Sequence, residues 1–380
     1  MCLAGWRRLV AAVAAAAVVG VLAGCAGSAG DGPFAAASQQ PVSVTQPTTT
    51  PTSRPTPTTA LAPTTVATTT PEPTPAAAPI TIDWVGDMTF GTPTLVPAGG
   101  AAAVLRNVPT ADLHSDLTLG NLETSVGDGL PLTKCAPGEA NCYQFETPTA
   151  TAGVLARAGF SAVNVANNHT IDAGAAGEAS TDAALQSAGI AWAGRPGQTT
   201  TIERGGVKIA LLGFAPYTFD DDALDLAAAT AQVKAAKASA DLVIVMIHLG
   251  AEGDTATHVP AGDEHYLGED RGDSTAFTHA VIDAGADLVV GSGPHVLRGM
   301  QWYHGHLIAY SLGNFCGYET LPVTAVTSIS AVLHVTLASD GTFVSGGITP
   351  MRITQPGTPA PDPSNQAVTI HRDSSLGGVR

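Results

Sequence analysis

Basic side chains are scarce in this chain of 380 residues: 16 Lys and Arg stand against 32 Asp and Glu, for a formal charge of −16 and a sequence pI near 4.9. That balance excludes nucleic acid as a partner, because binding it needs a basic surface that displaces counterions. A long polyanion is disfavoured as well, unless a metal or local arginines offset the repulsion. Cysteine is sparse: Cys2 and Cys25 lie near the start, Cys135 and Cys142 flank a short Pro/Gly loop, and Cys316 stands alone. No second His or Cys pair adjoins Cys135 and Cys142, so a metal pair is the weaker reading and a local disulfide formed outside the cell the stronger. Cys316 reads as a small buried hydrophobe. The apolar run from Leu9 to Leu22 is too short for a comfortable membrane span.

The first 25 residues instead have the form of an export signal, with Arg7 and Arg8 ahead of that run. The run ends Leu22-Ala23-Gly24-Cys25, which resembles the lipobox of bacterial lipoproteins. The resemblance implies lipidation of Cys25, and the alternative is an ordinary signal cut at small residues. Residues 26–79 are a Thr/Pro/Ala-rich tract with too little apolar surface to offset chain entropy. We expect a disordered tether, kept extended by proline and open to glycosylation.

Residues 80–355 carry the folded domain, with a loose tail expected over 356–380. Apolar runs alternate with Ala-rich helical stretches, as in α/β folds. Strands are predicted at Ile80 to Val85, Leu117 to Leu119, Ala162 to Val165, Val207 to Phe214, Asp241 to His248, Leu288 to Gly291 and Leu307 to Leu312. Helices are predicted at Thr149 to Ala158, Gly177 to Ala188, Ala223 to Ala240 and Ser274 to Ala284. The unbroken run of the Asp241 strand implies burial on both faces. Ser328 to Leu337 and Phe343 to Ile353 read as a terminal antiparallel pair.

Polar residues end these strands repeatedly: Asp87, Asn121 with Glu123, Asn168 with His169, His248 with Glu252, and His295. Singly, each has a dull explanation, since Asn and Asp are ordinary turn residues. If the strands are parallel, however, their carboxyl ends form one rim, where ligands sit in open α/β sheets. Carboxylate, amide oxygen and imidazole together suit Mn, Zn, Fe or Mg.

Six stretches in order carry a resemblance to a known family. They are Gly86-Asp87-Met88-Thr89-Phe90-Gly91, Asn121-Leu122-Glu123-Thr124, Asn167-Asn168-His169-Thr170-Ile171-Asp172-Ala173-Gly174, His248-Leu249-Gly250-Ala251-Glu252, Gly291-Ser292-Gly293-Pro294-His295-Val296 and Tyr310-Ser311-Leu312-Gly313-Asn314-Phe315. Together they resemble the CapA family of bacterial capsule-synthesis proteins linked to poly-gamma-glutamate, itself similar to the calcineurin-like metallophosphoesterases. The resemblance implies a four-layer α/β/β/α sandwich holding one or two divalent ions. It implies Asp87, Glu123, Asn168, His248 and His295 as metal ligands and His169 as the catalytic residue that assists the leaving group. Asn121, Glu252, Arg298 and Asn314 are the expected substrate-binding residues, Arg298 through its charge. Two imidazoles of the metallophosphoesterase pattern are missing, for Thr89 and Ser292-Gly293 stand in their places.

Two functions follow. One is a metal-dependent hydrolase or transferase acting on a cell-envelope polymer or a small anionic substrate through a metal-activated water. The other is a non-catalytic component that binds, anchors or exports the polymer. Both fit a lipid-anchored, extracytoplasmic protein working with capsule-synthesis membrane proteins. The segment from Gly253 to Asp273 is long and polar between a strand and a helix, and reads equally as a substrate loop or a surface excursion.

Overall fold

The computed structural model describes residues 77–92 and 94–368. The export signal, Cys25 and the tether as far as residue 76 lie outside the described residues. No helix among the described residues is long and apolar enough to cross a membrane.

In chain order the strands are β1 (Ile80–Thr89), β2 (Leu117–Leu122), β3 (Ser125–Val126), β4 (Glu146–Thr147), β5 (Phe160–Asn164), β6 (Ala191–Ala193), β7 (Thr200–Arg204), β8 (Val207–Phe214) and β9 (Leu242–His248). They continue as β10 (Glu264–Tyr266), β11 (Glu269–Gly272), β12 (Leu288–Ser292), β13 (Met300–Tyr303), β14 (His306–Ala309), β15 (Asn314–Gly317), β16 (Ile329–Leu337), β17 (Phe343–Thr354) and β18 (Thr358–Pro361). The helices are α1 (Ala101–Val104), α2 (Ala150–Ala158), α3 (Gly174–Ala188), α4 (Leu226–Lys237) and α5 (Ser274–Asp283).

Two sheets dominate. The first has the order β18-β17-β16-β1-β2-β5-β6, with β15 also paired to β1; the second has the order β13-β14-β12-β9-β8-β7. In the first, β1, β2, β5 and β6 run parallel and β16 to β18 antiparallel. In the second, β8, β9, β12 and β14 run parallel between antiparallel edges.

Side-chain alternation sorts the core into layers. On β9, Leu242, Ile244 and Met246 face the other sheet, where they meet Ile80, Ile82, Trp84, Leu117 and Leu119. Val243, Val245 and Ile247 face the opposite way, against Val233 of α4 and Phe277 and Val281 of α5. The outer face of the first sheet packs Val85, Met88 and Val163 against Leu155 of α2 and Leu185 of α3. The result is the expected α/β/β/α sandwich. Full burial of each such side chain stabilises by about 1.5–3 kcal/mol. Trp84 Nε1 also donates to Gly291 O at 3.1 Å, joining β1 to β12 across the sheets.

One irregularity decides where the chemistry goes. On β1, Trp84 faces the inter-sheet core and Val85 the outer face. Strict alternation would turn Asp87 outward with Val85. Instead β1 carries a bulge at Gly86: Val85 pairs with Gly120, and the next pair is Asp87 with Asn121. The extra residue flips the alternation, so Met88 joins the outer core and Asp87 turns inward. Only glycine fits there, because an added Cβ would lie 1.8 Å from Gly313 O. That carbonyl is itself committed to Asp87 N at 2.9 Å.

The structure departs from expectation in three places. The chain from 356 onward is not loose at its start: β18 pairs with β17, and Ala367 is fully buried in the inter-sheet core. Its prolines, Pro359 and Pro361, sit on an edge strand, where a missing donor is tolerated. The segment from Gly253 to Asp273 contains the β10–β11 hairpin. After β14 the chain also crosses to the first sheet, where β15 pairs with β1 and sets Asn314 opposite Asp87.

The bulge yields a prediction. Gly86→Ala is expected to destabilise the fold by about 3 kcal/mol or more, since two backbones must separate. Urea denaturation measures it, and an unchanged midpoint would contradict this account of β1.

Candidate metal centre and its cleft

Strand ends from both sheets converge between the layers. Asp87 arrives on β1, Asn121 and Glu123 at the end of β2, and His248 at the end of β9. Asn168 and His169 follow β5, and His295 follows β12. Asp87, Glu123 and His295 each offer one ligand atom, and these atoms lie within 4.8 Å of one another. Glu123 Oε1 is 3.7 Å from His295 Nε2, 3.9 Å from His248 Nε2 and 4.0 Å from His169 Nε2.

Asp87 is held from every side. Asn121 Nδ2 donates to its Oδ1 at 2.8 Å; His295 Nδ1 at 3.1 Å and Gly293 N at 3.3 Å donate to its Oδ2. His295 Nδ1 also lies 2.9 Å from Asn314 Oδ1. His295 reaches this position with φ +60°, a left-handed backbone that costs about 1–2 kcal/mol in an L-residue. Such strain collects at functional sites, where surrounding contacts enforce it.

The charges are unevenly satisfied. Burial raises the Asp87 carboxyl pKa, but the neighbouring imidazoles of His248 and His295 outweigh it and hold the group well below the carboxylate range. Glu123 is pushed well above that range by burial and by the charge of Asp87. Burial lowers the His248 imidazole to about 4. Burial also lowers His295, yet the carboxylates of Glu123 and Glu252 and the bonds to Asp87 and Glu252 lift it well above its usual value. The cluster is short of positive charge.

The buried atoms without a hydrogen-bond partner include four from these strand ends: Glu123 Oε1 and Oε2, His248 Nε2 and Asn168 Oδ1. Buried polar atoms are seldom left unpaired. All four are atom types that ligate divalent cations. Two ligands each about 2.1 Å from one ion lie at most about 4.2 Å apart, and the Glu123 separations from His248 and His295 meet that limit. The residues fit a divalent ion.

His169 is set apart for another task. Its Nδ1 donates to Asp172 Oδ2 at 2.6 Å, and its ring stacks on Phe145 with centroids 4.2 Å apart. Asp172 in turn accepts from Phe145 N, and Lys134 Nζ lies 3.4 Å from its Oδ1. Burial lowers the His169 pKa despite the neighbouring Asp172. A neutral ring with its proton on Nδ1 leaves a lone pair at Nε2, the atom that faces Glu123.

A cleft of about 720 Å³ opens over the centre, and Asn168, His169, Glu252 and His295 line its floor. Its walls include Tyr143 beside the Cys135–Cys142 disulfide, Tyr266 and Leu267 of the β10–β11 hairpin, and residues 319–323. The hairpin is therefore a wall of the cleft.

Three of the four expected substrate residues are placed otherwise. Asn121 is fully buried and spent: its amide nitrogen donates to Asp87 and lies 3.1 Å from His248 Nδ1, and its oxygen accepts from Asn164 and Asn167. Asn314 is also fully buried, with its oxygen on His295. Arg298 has all its nitrogens engaged: Nη1 and Nη2 meet Glu264 at 2.8 and 2.7 Å, and Nε meets Ala256 O at 2.8 Å. These three build the site and do not line the cleft. Glu252 does, with Oε2 3.5 Å from His295 Nε2. Thr89, where an imidazole would be expected, is buried and bonded to Thr320 through the hydroxyls. Ser292 Oγ donates to Ile247 O. Sequence reasoning gave no role to Asp172, Asn164 or Lys134; only the spacing of Asp172 three residues after His169 signalled any of them.

The profile of the family described as "Bacterial capsule synthesis protein PGA_cap" matches residues 81–319. The chain belongs to the PGA_cap family. The capsule biosynthesis protein CapA of Bacillus anthracis is 28% identical over 326 residues, covering 78% of this chain and 74% of that protein. The PGA biosynthesis protein CapA of Bacillus subtilis is 30% identical over 251 residues, covering 61% and 62%. The match thus spans less than two thirds of the second relative. Among solved structures, similarity extends to the NAD nucleotidase of Haemophilus influenzae (TM-score 0.39, 14% identity, 78% of this chain and 55% of that one). It extends also to a 5'-nucleotidase precursor from Thermus thermophilus (TM-score 0.38, 14% identity, 75% and 54%). The PGA_cap chain spans about half the length of these structures. Every ligand-type residue of its centre, from Asp87 to His295, lies inside the matched segment.

Behind the centre, the Asp220 carboxyl is 2% exposed and lies 3.2 Å from Thr170 Oγ1. Burial raises its pKa well above the carboxylate range. A carboxyl so raised favours its neutral form when folded, so stability falls as pH rises above the unfolded value. Asp220→Asn lacks that charge. Its stability relative to wild type is expected to increase as pH rises above the unfolded carboxyl value and to level off once the pH passes the raised folded value. Thermal unfolding at several pH values measures this, and a difference constant with pH contradicts it.

Proposed function

We propose that this PGA_cap protein is an envelope-located component of capsule or poly-gamma-glutamate biosynthesis and acts as a metal-dependent hydrolase or transferase. The observation that carries the reading is the set of unpaired buried atoms on Glu123, His248 and Asn168. With Asp87 and His295 they form a donor set for one divalent ion of Mn, Zn, Fe or Mg. Such an ion lowers the pKa of a bound water toward neutrality and polarises a substrate oxygen.

The protein's own side chains would do the rest. Asn121 fixes the Asp87 carboxylate in one orientation, so the centre is built before substrate arrives. Asp172 holds the His169 ring through Nδ1, which leaves Nε2 free to take a proton from the attacking hydroxyl group. The same nitrogen then delivers it to the departing group. Phe145 covers one face of the ring and keeps bulk water from it. The substrate is an envelope polymer or a small anion entering by the cleft. Lipidation at Cys25 would hold the domain at the membrane beside its biosynthetic partners.

A non-catalytic reading has one observation in its favour. Thr89 and Ser292 are hydrogen-bonded elsewhere, at positions where the metallophosphoesterase pattern supplies imidazoles. A protein with fewer ligands could bind, anchor or export polymer without cleaving it.

Metal analysis of the purified protein separates the two. We expect about one ion per chain, a raised unfolding temperature with added Mn or Zn, and turnover of a generic phosphodiester or a γ-glutamyl amide. Glu123→Gln is expected to weaken metal binding by roughly 100-fold. His169→Ala is expected to retain the ion and lose turnover by about 100-fold or more. Absence of metal and turnover, with polymer retained on the protein, would establish the binding role instead.

A further inference from the structure

The cleft contains a cationic group that nothing above employs. Arg271 lies on β11 in the wall of the cleft, and its side chain is 1% exposed. Its Nη1 donates to Glu252 Oε1 at 2.5 Å. Its Nε and Nη2 have no hydrogen-bond partner. Those two nitrogens share one edge of the guanidinium plane, and together they present a parallel pair of N–H donors. That edge matches the two oxygens of a carboxylate or phosphate. A buried guanidinium left half-bonded is costly, so the empty edge marks a place for a ligand.

The other cations of the region do not offer this. The Arg298 guanidinium is saturated by Glu264 and by backbone carbonyls. Lys134 Nζ donates to Asn168 O at 2.7 Å and braces Asp172. Arg271 is also well placed relative to the chemistry. Its partner Glu252 reaches His295 Nε2 at 3.5 Å, so one carboxylate links the guanidinium to the candidate metal centre. The sign and size of the ligand charge follow from the lining. Glu139, Glu252, Glu269 and Glu319 line the same cleft, against Lys134 and Arg271. In that company a single negative charge is easier to hold than a double one.

We propose that Arg271 anchors a carboxylate of the substrate through its Nε–Nη2 edge, positioning the neighbouring bond over the metal centre and selecting carboxylate-bearing chains over phosphate esters. Only the identity of the reacting end rests on the function proposed above. Recognition of the carboxylate itself does not require a metal.

Titration calorimetry on the full chain tests this with three probes: a γ-glutamyl tripeptide, the same tripeptide with its α-carboxyls amidated, and inorganic phosphate. Each is measured with Mn present and after chelation. The wild-type protein is expected to bind the acid form about 10- to 100-fold more tightly than the amide. Arg271→Gln is expected to bind both forms equally, at the level of the amide. Arg271→Lys should recover only part of the preference, because a lysine keeps the charge and loses the paired donors. Thermal unfolding confirms that the variants fold; if they do not, the wild-type comparison of acid and amide still decides. Equal binding of acid and amide by the wild type overturns the assignment, as does no binding of the acid form at millimolar concentration. Tighter binding of phosphate than of the acid form, or a preference retained in Arg271→Gln, overturns it too. A preference that persists in protein unable to hold metal would sink the metal-centre reading and leave this one standing. Bound metal without the preference would do the reverse.

Discussion

A carboxylate with no route to water sits between two sheets, and much of the polar architecture exists to hold it there. Asp87 cannot reach the inter-sheet space on a regular strand, because alternation would turn it toward the helices with Val85. The bulge at Gly86 turns it inward, and the bare Cα of that glycine lets the Gly313 backbone close over it. The crossing from β14 to β15, the pairing of Asp87 with Asn314 and the left-handed backbone at His295 all serve the same contact. Free energy is spent on strain and buried polarity at this point, and the large apolar interfaces on either side supply it.

Around that anchor the charges do not cancel. Asp87 has its donors, but Glu123 has none, although both carboxylates are fully buried within reach of the same imidazoles. Two buried anions so close are tolerable only when a cation or a proton lies between them. Contacts run outward from His295 through Glu252 to Arg271, so the candidate metal centre and the cleft wall form one electrostatic unit. His169 stands to one side, tied to Asp172 and covered by Phe145, close enough to act on a group at the centre without being needed to build it.

Much of this was legible in the order of residues. Runs such as Leu242 to His248 announced buried parallel strands, and the recurrent Asp, Asn, Glu and His at their ends announced a shared rim. The ligand-type residues Asp87, Glu123, Asn168, His248 and His295 could be named because each follows an apolar run and matches a motif of the family the chain resembles. Residue chemistry misled where hydrogen-bond partners mattered. Arg298 follows the closing motif and looks free, yet Glu264, thirty-four positions away in sequence, satisfies it. Asn121 looks like a cleft residue but is consumed by Asp87, His248, Asn164 and Asn167. Arg271 sat in a segment whose role was undecided, and only the β10–β11 hairpin turns it toward the cleft. The Pro-rich stretch after residue 356 has the composition of a loose end, but an edge strand tolerates its prolines.

The sequence by itself determined the alternation of strands and helices, the strand ends that carry chemistry and the family to which the chain belongs, because burial periodicity and local motifs are properties of neighbours along the chain. Only the tertiary structure decided which polar groups are already satisfied and which are left open. Hydrogen bonds between Asp87 and His295, Glu264 and Arg298, or Glu252 and Arg271 join residues far apart in the chain, and a site's chemistry depends on the groups that such bonds leave unpaired.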